Sequence, residues 1–340
     1  MIRYTIIMPM FNAEKFLKKN LTFFKNNNRN DIEYLIINDG STDNSYEIVK
    51  NANIENVILI DQKNLGVSYT RNIGIKNARG KYICFLDSDD YYEENILDFF
   101  DSIYDKDYDL IRFGYYISTK SKKIIGNHFK ENTVINNYKK NSENYKILYT
   151  TSLLNTSVNQ LIKRKILINN NIYFNKIYKY GEDLEFNIRL MHHVDNVFFS
   201  KKILYNYFRN EDSTTNKETV ENVEKCIDDA INIHVNRFRM CQLDCPKHLN
   251  ECYYNVSLEL TTVLRRLLFL KNIKLRDIKK KINDIKKNEN IIYFNQFNKK
   301  YNSTKFYKKS IIKKANYISL IYFKVYYNLK KTIANLIKYN

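Results

Sequence analysis

The chain has 340 residues, 44% of them hydrophobic, with 56 Lys and Arg against 37 Asp and Glu, a formal net charge of +19. That apolar fraction supports a real core and excludes a disordered polyelectrolyte, and the length accommodates one large or two ordinary domains. No run of about 18 uninterrupted apolar residues occurs, so no transmembrane helix is expected. The start, Met1-Ile-Arg-Tyr-Thr-Ile-Ile-Met-Pro9, has neither a long apolar stretch nor a small-residue cleavage site, so no signal peptide is expected. Five cysteines without a secretion signal read as reduced thiols of a cytoplasmic protein.

In chain order, Tyr4–Met10 is apolar and β-rich and predicts a first strand. Ala13–Asn26 has helical spacing, with Phe16, Leu17, Leu21 and Phe24 on one side. Ile32–Asn38 is an apolar run ending at Asp39-Gly40-Ser41, and Asp43–Asn51 reads as the next helix. Val57–Asp61 and Val67–Ala78 repeat the alternation, Lys81–Leu86 and Glu93–Ile103 repeat it again, and Leu110–Ser118 is a fifth strand. Such β–α alternation with short connections predicts a mixed, mainly parallel sheet with helices on both faces and right-handed crossovers.

Residues 121–156 are polar and rich in Lys and Asn, and read as a lid or an edge hairpin. Asn159–Ile168 and Gly181–His192 read as helices, and Val197–Tyr207 as a strand. From Asn222 onward the periodicity is helical. Residues 261–340 carry 21 Lys and Arg against 3 Asp and Glu, while the preceding 260 are almost neutral. The expected organisation is a catalytic domain over 1–220 and a helical C-terminal region over 221–340, strongly basic from 261. In its last helix Ile311, Ala315, Ile318, Tyr322, Val325, Leu329, Ile333 and Leu336 make one apolar stripe flanked by lysines. Cys241, Cys245, His248 and Cys252 share a helical spacing, but Pro246 interrupts it, and buried thiols are a better reading than zinc ligands.

The chemistry concentrates where strands end. Ile83-Cys-Phe-Leu-Asp87-Ser-Asp89-Asp90 is a buried strand running into three carboxylates. Carboxylates that close repel unless a cation sits among them, and hard oxygen ligands suit Mg²⁺ or Mn²⁺ shared with phosphate. In open α/β sheets, ligands bind at the carboxyl ends of strands. The same octet also fits a polar turn whose acids cap the next helix. Further clusters lie at Pro9-Met-Phe-Asn12-Ala-Glu14, at Asp39-Gly-Ser-Thr-Asp43 and at Asn64-Leu-Gly66-Val-Ser-Tyr-Thr-Arg71-Asn-Ile-Gly74. Two more lie at Tyr180-Gly-Glu182-Asp183-Leu-Glu185 and Tyr205-Asn-Tyr-Phe-Arg209-Asn-Glu-Asp-Ser213. Taken singly, Asp39-Gly40 fits a turn, Arg71 a structural ion pair, and the acids at 182–185 a first helical turn.

In this order and spacing the clusters resemble the inverting family-2 glycosyltransferases of the GT-A fold, of the bacterial glycan-synthesis type, over roughly residues 4–215. The resemblance implies a hexosyl- or N-acetylhexosaminyltransferase acting in cell-surface polysaccharide synthesis. Its donor would be a nucleotide sugar, UDP-linked, and its acceptor a hydroxyl of a glycan or lipid-linked glycan. It implies Mn²⁺ or Mg²⁺ held by Asp89 and Asp87, with Asp87 also near the ribose and Asp90 a neighbouring candidate. Asp39 would accept from the uracil ring, Pro9, Asn12 and Glu14 would form the first nucleotide loop, and Arg71 would lie near the phosphates. Asp183 would be the general base and Glu182 would bind the acceptor or orient the base. Arg209 and Ser213 would close over the diphosphate, although Glu211 and Asp212 between them would repel phosphate.

The basic region 261–340 is not covered by the resemblance. Its charge and apolar stripe suit an anionic membrane surface at the inner face of the cell membrane. The same stripe also suits packing on the catalytic domain or pairing with a second copy of the chain. A nucleotidyltransferase would show a Gly-rich basic phosphate loop after the first strand, and Pro9–Glu14 does not. A nucleic-acid-binding protein would have no use for the acids at 87–90 and 182–185, so no nucleic-acid partner is expected.

Overall fold

The computed structural model describes residues 1–119, 122–126, 128–138, 142–153, 155–209, 219–270 and 275–300. The chain divides into two compact units, Met1–Tyr178 with Glu182–Ser213, and Lys179–Gly181 with Thr214–Asn340.

In the first unit β1 (Tyr4–Met10), α1 (Leu17–Asn26), β2 (Ile32–Asp39), α2 (Ser45–Asn51), β3 (Val57–Gln62), α3 (Val67–Asn77) and β4 (Tyr82–Phe85) follow the predicted alternation. There follow β5 (Tyr91–Tyr92), α4 (Ile96–Ile103), β6 (Leu110–Ser118), β7 (Lys123–Ile125) and β8 (Thr133–Ile135). The unit is completed by α5 (Lys146–Thr150), β9 (Gln160–Lys163), α6 (Arg164–Asn169), α7 (Glu182–Met191) and β10 (Val197–Phe208).

One sheet runs β3-β2-β1-β4-β9-β6-β10-β5, with β7 against β6 and β8 against β10. Its first half is parallel, β1 lying between β2 and β4. β1 and β2 are buried along their whole length, as strands covered on both faces must be, which explains their largely apolar runs. Pro9 lies beyond Ile7, the last β1 residue paired with β4. A residue without an N–H is tolerated there. Gly74 is set by packing, since a Cβ on it would run into Ile7 and push α3 off β1.

Two expectations are corrected. Asn159–Ile168 is not one helix: Gln160–Lys163 is β9, inserted antiparallel between β4 and β6, and only Arg164–Asn169 is helical. The polar ends Gln160 and Lys163 hide the strand in the sequence, yet both are buried and bonded to distant partners, Gln160 to Asn187 and Lys163 to Asp109. In the region 121–156, β7 and β8 do not make an edge hairpin with each other: β7 pairs with β6 and β8 with β10, and the helix α5 follows.

The second unit contains α8 (Val220–Asp244), α9 (Leu249–Phe269), α10 (Leu275–Lys287) and α11 (Glu289–Lys300), with α8 packed on α9 and α11. Cys241, Cys245, His248 and Cys252 do not share one helical face, because α8 stops at Asp244 and the Pro246–His248 turn intervenes. The three thiols are buried and form no disulfide. Among the described residues no helix is long and apolar enough to cross a membrane. The predicted stripe from Ile311 to Leu336 lies outside the described residues.

Candidate active site

The loops that leave β1, β2, β3 and β4 converge at the carboxyl ends of the parallel strands, where α/β folds bind ligands. After β1, Asn12 adopts a left-handed backbone (φ 49°), and its Oδ1 accepts from Thr42 N–H at 2.8 Å. Glu14 accepts from the backbone and side-chain nitrogens of Asn44, each at 3.1 Å. The loop after β1 is thereby tied to the loop after β2. Asp39 is buried and accepts from Gln62 Nε2 (2.8 Å), Leu65 N–H (2.8 Å) and Gly66 N–H (2.9 Å). It therefore shapes the turn into α3, where Gly66 takes a φ of 90° that only glycine adopts easily. A carboxylate has about four acceptor positions, so one remains for a ligand.

The turn after β4 separates three acids into three environments. Asp90 is buried, and its carboxylate accepts from Tyr205 Oη (2.5 Å) and Phe208 N–H (2.7 Å). Burial, followed by the charges of Asp87 and Asp89, raises its pKa well above the usual range. Asp90 thus fastens this turn to β10. Asp87 accepts from Arg71 at 2.8 Å. No other side chain among the described residues bonds Asp89; burial and then the neighbouring Asp87 charge push it up to about 6. Asn20 on α1, which the sequence did not single out, supports the turn by donating to Ser88 O at 3.1 Å.

Arg71 is only 3% exposed. One terminal nitrogen donates to Asp87, and the other to Asp183 at 2.9 Å, with Glu182 at 3.5 Å. Its Nε is buried with no partner among the described residues, and the guanidinium lies 5.1 Å from the Phe174 ring. Arg71 was expected beside phosphates. Its observed contacts are carboxylates, and it joins the β4 turn to the start of α7. Asp183 also accepts from Ser157, through Oγ at 2.8 Å and N–H at 3.2 Å. Burial and Asp183 raise Glu182 to about 7, against the opposing pull of Arg71.

Pro9 is buried at the strand end. Arg209 is exposed just after β10, where its N–H donates to Ser118 O at 2.8 Å. Ser213 lies outside the described residues.

A hard divalent cation fits this turn. No three Asp, Glu, His or Cys side chains among the described residues make a ready-made cage. Cations of this kind are commonly held by one or two carboxylates, with phosphate and water completing the shell. Asp89, desolvated and without a counter-charge among the described residues, is the carboxylate such a cation would satisfy, and Asp87 would be the second ligand.

The description "Glycosyl transferase family 2" matches residues 5–170. The uncharacterized glycosyltransferase EpsJ of Bacillus subtilis is 28% identical over 215 residues, 62% of each chain. Glycosyltransferase GlyA of Streptococcus pneumoniae is 29% identical over 213 residues, 60% of this chain and 30% of GlyA. The match thus spans about three fifths of one relative and under a third of the other. The minor teichoic acid biosynthesis protein GgaA of Bacillus subtilis is 36% identical over 110 residues, 30% of this chain and 24% of GgaA. Among solved structures, S. aureus TarS 1–349 in complex with UDP-GlcNAc superposes with a TM-score of 0.61 at 21% identity, covering 83% of this chain and 79% of that 1–349 chain. The fold is therefore that of TarS, and residues 5–170 form a glycosyl transferase family 2 domain.

Proposed function

We propose that this chain transfers a sugar, with inversion, from a UDP-linked donor to a hydroxyl of a glycan or lipid-linked glycan in cell-surface polysaccharide synthesis. The observation that carries the reading is the Asp87–Arg71–Asp183 bridge. One arginine connects an acid of the strand-end turn, suited to a cation and diphosphate, to a carboxylate suited to deprotonating an acceptor. The likeness to TarS, which binds UDP-GlcNAc, supports a UDP donor, and the likeness to GgaA supports a cell-envelope polymer as acceptor.

In this mechanism the loops at Asn12, Glu14 and Asp39 hold the nucleotide. Asp89 and Asp87 would hold Mn²⁺ or Mg²⁺. When bound, that cation supplies Lewis-acid neutralisation of the departing diphosphate. Asp183 takes the proton of the acceptor hydroxyl as that oxygen attacks C1 from the face opposite the leaving group. Arg71 holds Asp183 in place through its 2.9 Å bond to Oδ1, and Glu182 contacts the acceptor. Asp90 holds the turn rather than the ligand.

A panel of UDP-sugars, assayed for UDP release with Mn²⁺ and with EDTA, tests this. The expected result is turnover of at least one donor that EDTA abolishes and Asp89→Ala removes. Turnover undiminished by both overturns the cation reading.

A further inference from the structure

Asp183 is gripped from two sides, and only one of them is Arg71. Arg71 reaches Oδ1 alone. A carboxylate held by a single hydrogen bond can pivot about it, whereas two bonds to different oxygens fix its plane. Ser157 supplies that second grip: its hydroxyl donates to Oδ1 at 2.8 Å and its N–H to Oδ2 at 3.2 Å. Oδ2 then carries one bond and keeps a lone pair for a proton. Ser157 is fully buried, although Asp183 itself is partly exposed.

The serine is itself held by an unusual support. Arg112 is completely buried and makes no ion pair with any described residue. One of its terminal nitrogens donates to Gln160 Oε1 at 2.5 Å. The other donates to Thr156 O (2.9 Å), Leu153 O (3.2 Å) and Asn159 Oδ1 (3.0 Å). Asn187, one turn after Asp183 on α7, closes the ring: it donates to Thr156 O and accepts from Gln160, both at 2.9 Å. The backbone on either side of Ser157 is therefore pinned to β6, β9 and the helix that carries Asp183. A buried guanidinium without a carboxylate is costly, and only its planar fork of donors could tie this many acceptors at once. Burial lowers its pKa to about 9, against the opposing charge of Asp183, so it is charged at neutral pH.

We propose that Ser157, backed by Arg112, is a positioning residue that fixes the carboxylate of Asp183 for the acceptor hydroxyl. This rests on Asp183 being the base. It predicts a loss confined to the chemical step, because among the described residues Ser157 bonds Asp183 and no residue of the loops assigned to the nucleotide.

The test measures steady-state UDP release from whichever of UDP-GlcNAc and UDP-glucose the wild-type chain turns over faster, with UDP affinity by calorimetry alongside. Ser157→Ala is expected to lower kcat by about 10- to 100-fold while donor KM and UDP affinity stay within about twofold. Ser157→Thr, which keeps the hydroxyl, is expected to recover most of that loss. In an Asp183→Asn background Ser157→Ala is expected to add nothing, since the two residues act as one unit. Wild-type kcat in Ser157→Ala overturns the proposal. So does a loss expressed in donor KM, equal losses in the Ala and Thr variants, or a further full loss in the Asp183→Asn background. Undiminished kcat in Asp183→Asn alone overturns instead the reading of Asp183 as base.

Discussion

Arg71 is where the two halves of the site meet, and its physics differs from that of a surface phosphate ligand. Burial disfavours the cation, but Asp87, Asp183 and Glu182 outweigh that and hold its pKa above the usual arginine range. Removing one partner of a buried pair leaves the other charges uncompensated, a loss of about 3–5 kcal/mol when both are fully buried. Here the carboxylates are partly exposed, so Arg71→Met is expected to cost less, about 2–3 kcal/mol in urea unfolding, as well as abolishing turnover. Glu182 gives a second residue-scale prediction. Its folded pKa, about 7, lies above the ordinary glutamate value of 4.5. The folded chain therefore holds a proton that the unfolded chain releases, and stability from this group falls as pH rises from 4.5 to 7. In Glu182→Gln that slope should disappear. Urea midpoints of wild type and variant across this range are expected to diverge with rising pH, the variant gaining; parallel curves would contradict the assignment.

At the scale of elements, the site depends on a turn and a strand that sequence spacing does not connect. Asp90 fastens the β4 turn to β10 through Tyr205 and Phe208. Asp90→Ala leaves a buried hydroxyl and a backbone N–H without their acceptor, at about 1–3 kcal/mol for each unsatisfied group. A drop of that size in urea unfolding, with UDP affinity weakened because the turn loosens, is the expected outcome. Legibility divided along similar lines. Strands ending in Asp39 and Asp87, and the carboxylates themselves, could be read because an apolar run stopping at acids is a local pattern. β9 could not: Gln160 and Lys163 are buried by partners 27 and 54 residues away, which no periodicity announces. Ser157 was invisible for the same reason, an isolated hydroxyl whose partner lies 26 residues on. Asp90 looked like one more ligand candidate, and only its bonds to β10 distinguish it from Asp89.

At the scale of the whole molecule, charge and catalysis are separated along the chain. The strand-end acids lie in the first unit, and the excess of lysine and arginine falls after residue 261. On α10, Arg276, Lys280, Lys286 and Lys287 are exposed while Ile278 and Ile285 are buried, so the described part of the basic region presents charge to solvent. We propose that this region holds the enzyme against an anionic membrane, each basic residue near the surface contributing about 1 kcal/mol. The full chain is expected to sediment with phosphatidylglycerol vesicles at low salt, not with phosphatidylcholine vesicles, and to be released as salt screens the charges. Failure to bind at low salt contradicts it.

The central claim is that Asp183 removes the acceptor proton while the strand-end loops hold the donor. Comparing wild type with Asp183→Asn tests it most directly, by UDP release from a turned-over UDP-sugar and by UDP binding in Mn²⁺. An amide keeps the size of the side chain and removes the basic oxygen. The account predicts a fall in kcat of about 10²- to 10⁴-fold with UDP affinity essentially unchanged. Retained kcat, or UDP binding lost together with turnover, would contradict it.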